Sequence, residues 1–119
     1  MRTARRWAAV GLLVTGGAAL AHHGWSGYDE TKALTLTGVI RASTYEQPHG
    51  TLKLEVEKPE KKVWLVVLAP PTRMESRGLP ASALKVGETA TVVAYPSKSN
   101  PDECRAERIT VGGKTTELR

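Results

Sequence analysis

The chain has a single cysteine, Cys104, no phenylalanine, and only three tryptophans and three tyrosines in 119 residues. One cysteine excludes a disulfide framework within the chain, so the fold has to be held by its own apolar core. A lone thiol in an exported chain is read first as a buried side chain, and otherwise as a soft metal ligand or an intermolecular partner. The longest apolar stretch, from Trp7 to Leu20, is interrupted by Gly11, Gly16 and Gly17 and is shorter than the roughly 20 residues that span a bilayer. A permanent helical membrane anchor is therefore the weaker reading. There is no nucleophile elbow, phosphate loop or zinc-finger spacing, and no acidic pair placed for general acid and base work.

What the N-terminus does have is Arg2, Arg5 and Arg6, then the apolar run, then small residues ending in Ala19, Leu20 and Ala21. This is the order of a secretory signal peptide, assigned to residues 1–21. The adjoining Arg5 and Arg6 suggest twin-arginine export only weakly, since Ala4 precedes the pair and no Phe-Leu follows it. The expected destination is the periplasm. Removing the segment discards three of 17 basic residues and none of the 12 acidic ones, so 14 face 12 and the net charge falls from +5 to +2. A surface for nucleic acid needs clustered positive charge after processing, and none is expected here. Lys58, Lys61 and Lys62 do lie close together, but Glu57 and Glu60 stand among them in a turn.

The processed chain of 98 residues suffices for one domain. Residues 22–32 show neither a helical nor a strand period and are read as an N-terminal arm carrying histidine and aromatic side chains. From residue 33 to 119 the pattern is that of strands. Leu34, Leu36, Ile40 and Ala42 share one parity, with Gly38 marking a bulge or bend. Leu52, Leu54 and Val56 alternate with Lys53, Glu55 and Glu57. Val63 to Leu68 is apolar on both parities, which predicts a strand covered on both faces or lying at the centre of the sheet. Thr72 and Glu75 fit a capping box opening a short helix that ends at Gly78, with a further helical turn at Pro80–Leu84. A fourth strand follows through Ala90, Val92 and Ala94, and a fifth from Cys104 to Val111, then a short tail. Three strands, a helix and two strands predict an all-β fold, a small five-stranded OB-like barrel with one short helix between strands 3 and 4.

The three histidines carry the chemistry. Cleavage after Ala21 makes His22 the first residue, with its free amine and ring nitrogen on one residue. A metal has to displace only a proton of pKa about 7.7–8 from that amine. A second imidazole from His23 or His49 completes a three-nitrogen set suited to Cu(II). Cleavage after Ala19 instead places His22 third behind a free amine, a square-planar trap for Cu(II) or Ni(II). The bland alternative makes His22 and His23 a polar terminus and His49 a turn residue. Trp25 and Tyr28 are expected to pin the arm to the barrel through buried aromatic area. Met74 and Cys104 are soft donors more simply explained as packed side chains. Asp29, Glu30, Glu46, Asp102 and Glu103 are read as solvated surface.

The segments His22-His23-Gly24-Trp25, Tyr28-Asp29, Leu36-Thr37-Gly38-Val39 and Pro48-His49 together resemble a family of small bacterial periplasmic proteins known only as a domain of unknown function. The likeness continues through Arg77-Gly78-Leu79, Leu84-Lys85-Val86-Gly87 and Arg105-Ala106-Glu107-Arg108. The chain departs from that pattern with Gln47 where asparagine is frequent, and with Gly24-Trp25 in place of Ser-Phe. The resemblance implies a barrel and a periplasmic setting and brings no activity. By analogy of function alone, periplasmic copper-resistance barrels bind Cu(II) at a mature N-terminal histidine.

The expectation is a periplasmic metal-binding protein, a copper carrier or buffer and not an enzyme, with His22, His23 and His49 as ligands. Its partners would be a metal ion and a periplasmic protein, without nucleic acid. The rival is a non-metal interaction or ligand-binding module that uses the barrel face. A copper oxidase and a single-strand nucleic-acid binder are the remoter classes.

Overall fold

The computed structural model describes residues 24–119. The signal assignment, His22 and His23 lie outside the described residues.

Six strands are formed: β1 Leu34–Thr44, β2 Thr51–Val56, β3 Lys62–Val67, β4 Thr89–Pro96, β5 Glu103–Val111 and β6 Lys114–Glu117. Helix α1, Pro71–Ser76, and a 3-10 turn at Ala81–Ala83 connect β3 to β4. The sheet runs β3-β2-β1-β4-β5-β6, and a parallel pairing of β3 with β5 closes the first five into a ring. The protein is therefore a closed five-stranded barrel of OB type, with β6 outside the ring on β5. No helix among the described residues is long and apolar enough to cross a membrane.

Closing five strands requires one of them to serve both halves of the barrel, and β1 does so around Gly38. This residue is paired with Val56 on β2 and with Ala90 on β4. A Cβ on Gly38 would stand 2.3 Å from the Glu55 carbonyl oxygen and 2.9 Å from Val56 Cγ1, so only glycine lets β2 approach. The bulge itself falls just beyond, where the register with β2 shifts between Ile40 and Ala42. That extra residue, Arg41, reverses the alternation, and Ala42, expected to face inward, is exposed.

The interior holds Leu36 and Ile40 of β1, Leu52, Leu54 and Val56 of β2, and Trp64 and Val66 of β3. Ala90, Val92 and Ala94 of β4 and Cys104, Ala106 and Ile109 of β5 complete the wall. The expectation that β3 is covered on both faces is corrected, because a barrel has one interior. Trp64, Val66 and the following Leu68 are buried, whereas Val63 is 47% exposed and Leu65 and Val67 are half-buried on the outer face.

The helix starts differently from the capping-box expectation. Pro70 occupies the cap position without a side-chain hydrogen bond, and Pro71 is the first helical residue. Thr72 therefore lies within the first turn and caps nothing. The helix ends at Ser76 and is turned off by Gly78, whose φ of 84° is left-handed, and it carries fully buried Met74 into the core.

Beyond β5 the glycine pair Gly112-Gly113, with φ of 59° and 78°, makes a tight reversal into β6. Leu118 then returns to the core, its amide donating to the Glu107 carbonyl at 2.8 Å.

Candidate functional site

Where β4 ends and β5 begins, the N-terminal arm lies against the barrel. Trp25–Gly27 form one 3-10 turn, closed by the Tyr28 amide on the Trp25 carbonyl. The arm then runs antiparallel to the start of the β4–β5 loop, bridging Tyr28 to Ser97. The Asp29 amide donates to the Pro96 carbonyl at 2.8 Å, and the Lys98 amide to the Gly27 carbonyl at 2.9 Å.

Side chains complete the attachment. Tyr28 is buried, and its hydroxyl donates to Glu103 Oε2 at 2.6 Å. Burial, and then the Glu103 carboxylate, push this phenol above its ordinary pKa. Trp25 meets Tyr28 and Tyr95 edge to face, at centroid separations of 6.4 and 6.0 Å. Its ring also meets two guanidinium groups, Arg105 at 4.4 Å and Arg119 at 4.3 Å. Arg119 is held in turn by Glu30 through two bonds of 2.6 and 3.3 Å. Tyr95 donates to Glu107 Oε1 at 2.9 Å.

Arg105 is the centre of this arrangement. Strand alternation sends Cys104 and Ala106 into the core and Arg105 to the outer face, where Trp25 covers it until only 4% remains exposed. Burial pulls its guanidinium below the ordinary pKa. One terminal nitrogen, Nη1, donates to the Gly24 carbonyl at 3.1 Å, and Nη2 lies 3.2 Å from His49 Nε2. A guanidinium has donors only, so His49 Nε2 is the acceptor and the ring is the neutral form carrying its proton on Nδ1.

Of the three histidines expected to bind metal, His49 is therefore placed beside the first described residue of the arm, and His22 and His23 precede that residue in the chain. Among the described residues, no three or more His, Cys, Asp or Glu side chains form a group that could hold a metal ion.

The soft donors are elsewhere. Met74 is in the core, and Cys104 points inward with its thiol pushed up to about 12 by burial and then by the Glu103 charge. Among the carboxylates, Glu103 differs from the expectation of a solvated surface residue. It is half-buried and accepts from both Tyr28 and Asn100.

Sequence reasoning assigned no role to Arg105, Arg119, Tyr95 or Glu107, and quoted Arg105 and Glu107 only within a segment that carries the family resemblance. The one available signal was parity, since an arginine flanked by inward-facing Cys104 and Ala106 has to face outward. What covers it comes from the other end of the chain.

The chain belongs to the family of unknown function DUF6152, whose model matches residues 9–105. Arg105 is the last residue of the matched stretch, and β6 and Arg119 lie beyond it. No curated protein matches the chain.

Proposed function

We propose that this member of DUF6152 is an exported, periplasmic metal-binding protein, a copper carrier or buffer whose ligands are His22, His23 and His49. The observation that carries the reading is the double contact of Arg105. One guanidinium holds the Gly24 carbonyl at 3.1 Å and His49 Nε2 at 3.2 Å. His23 is bonded to Gly24 in the chain, and Gly24 shares this guanidinium with His49. After cleavage behind Ala21, the His22 amine and imidazole together with one further ring would make a set of three neutral nitrogens. Such a set suits Cu(II).

A carrier is favoured over a catalyst because the carboxylates around the arm are already engaged. Glu30 binds Arg119, Glu103 accepts from Tyr28, and Glu107 accepts from Tyr95. None is left poised to move a proton for a bound substrate.

The test is native mass spectrometry of the protein recovered from its exported compartment. The expected spectrum begins at His22 and retains one copper ion. That ion is lost in His49→Ala, and also when an extra N-terminal residue blocks the His22 amine. A correctly processed chain that stays metal-free with stoichiometric Cu(II) overturns the proposal.

A further inference from the structure

We propose that residues 117–119 form a strap that locks the N-terminal arm onto the barrel. Helix α1 keeps the strap closed through Arg73 and Arg77, neither of which hydrogen-bonds to a described residue of the arm.

The strap is clamped first by its backbone. β6 is the last strand of the sheet and pairs only with β5 among the described residues, so its outer edge has no strand beside it. Cationic side chains bridge that edge to α1 instead. Arg73 Nη1 donates to the Leu118 carbonyl at 3.0 Å, and Arg77 Nη1 donates to the Glu117 carbonyl at 2.8 Å and the Arg119 carbonyl at 3.2 Å. Lys114 Nζ makes the reciprocal link, donating to the Gly78 carbonyl behind the helix at 2.8 Å. These bonds all end on carbonyl oxygens, so they fix the path of the backbone, and each is strengthened by a charged donor. Between them Leu118 is sunk in the core, 1% exposed.

The strap then grips the arm with a single side chain. The Arg119 guanidinium holds Glu30 by bonds of 2.6 and 3.3 Å, lies 4.3 Å from the Trp25 ring, and stands 3.8 Å from the Glu107 carboxylate. Arg119 and Glu30 are 43% and 45% exposed. Ordering a freely moving arginine costs more than an exposed ion pair contributes, so this grip is effective only where the backbone of residue 119 is already held. Arg77 does that holding. Opening the α1 clamp therefore frees residue 119 and removes its hold on Glu30 and Trp25, without altering any residue of the arm. The arm has a docked and a released state, and the strap sets the balance between them.

Hydrogen exchange on the full processed chain tests this. The quantity read is the exchange rate of the Lys98 amide, which donates to the Gly27 carbonyl of the docked arm, divided by that of Val92 in the barrel. Arg77 is the better probe of the clamp, because the charge of Arg73 also reaches Arg105. Arg77→Ala should raise the ratio ~3- to 10-fold and Arg119→Gln ~10-fold, the worth of one hydrogen bond from a charged group in the opening equilibrium. As the two residues are successive links, the double variant should match Arg119→Gln alone. A ratio within ~2-fold of wild type in Arg77→Ala, or single effects that multiply in the double variant, overturns the strap.

Should Arg77→Ala loosen the whole barrel, so that Val92 exchange rises together with that of Lys98, Arg119→Gln decides alone. Its α1 clamp is intact. Faster Lys98 exchange above a Leu118 amide that stays protected by the Glu107 carbonyl then supports the strap, and an unchanged ratio overturns it.

Discussion

Replacing Trp25 with alanine tests the attachment of the arm directly. Two edge-to-face contacts would be lost, with Tyr28 at 6.4 Å and Tyr95 at 6.0 Å, each contributing about 0.5–1.5 kcal/mol. The stacking of the buried Arg105 guanidinium, 4.4 Å from the ring, adds about 1–2 kcal/mol. Together these predict a destabilisation of ~2–5 kcal/mol, part of it local to the arm, since Tyr28 and the backbone bonds of Asp29 and Lys98 remain. Urea unfolding followed by circular dichroism should show a midpoint lowered by roughly 1–2 M, taking a slope of about 1–3 kcal/mol per M. The Asp29 and Lys98 amides should exchange faster with solvent, while barrel amides such as Val92 keep their order of protection. Trp25→Phe, which keeps a ring for the tyrosines, should recover about half of the loss. A Trp25→Ala protein within ~0.5 kcal/mol of wild type, a change ordinary for surface positions, with Lys98 exchange unchanged, would refute the reasoning.

Two further substitutions or conditions probe the barrel. Gly38→Ala forces a Cβ to within 2.3 Å of the Glu55 carbonyl oxygen, a backbone atom that cannot swing away. The expected loss is ~3 kcal/mol, the upper end of overpacking costs, and a melting temperature lowered by more than ~10 °C; a melt within 2 °C of wild type, on the order of 0.5 kcal/mol, counts against the β1–β2 approach. Cys104 should resist iodoacetamide at pH 8 in the native protein and react once urea unfolds it, because its thiol is buried and pushed up to about 12. The unfolded thiol ionises near pH 8.5–9 and the folded one does not, so this contribution is intact below pH ~8.5 and is lost as pH rises from there towards 12. A native thiol that alkylates as fast as the unfolded one would contradict the inward orientation of Cys104.

How far the fold was legible depends on whether each feature is local. Leu52, Leu54 and Val56 alternate without interruption and lie in β2 with that parity. Ala90, Val92 and Ala94 do the same in β4. The parity of β1 fails at Ala42 because the bulge depends on how β2 comes to lie beside it, which the residues of β1 alone do not encode. The apolar run of β3 overstates its burial because hydrophobicity records what a residue tolerates, and Val63 is left outside by the geometry of a closed ring. β6 was passed over as a tail, although Gly112-Gly113 is a recognisable hairpin signal.

By itself the sequence determined the class of the fold, the order of the barrel elements along the chain and the inward faces of β2 and β4. Those follow from side-chain alternation and from glycine and proline at the turns, which act over a few residues. It also placed the histidines at the head of the chain and in the β1–β2 loop. Only the tertiary structure decided that His49 and Gly24 share the guanidinium of Arg105, and that Arg105 and Arg119 both meet the Trp25 ring. The physical reason is separation along the chain. These groups come from residues 24, 25, 49, 105 and 119, and no local periodicity relates them. They meet because the closed barrel brings the β1–β2 loop, the start of β5, the first described residues of the arm and the C-terminal residue to one place on its surface.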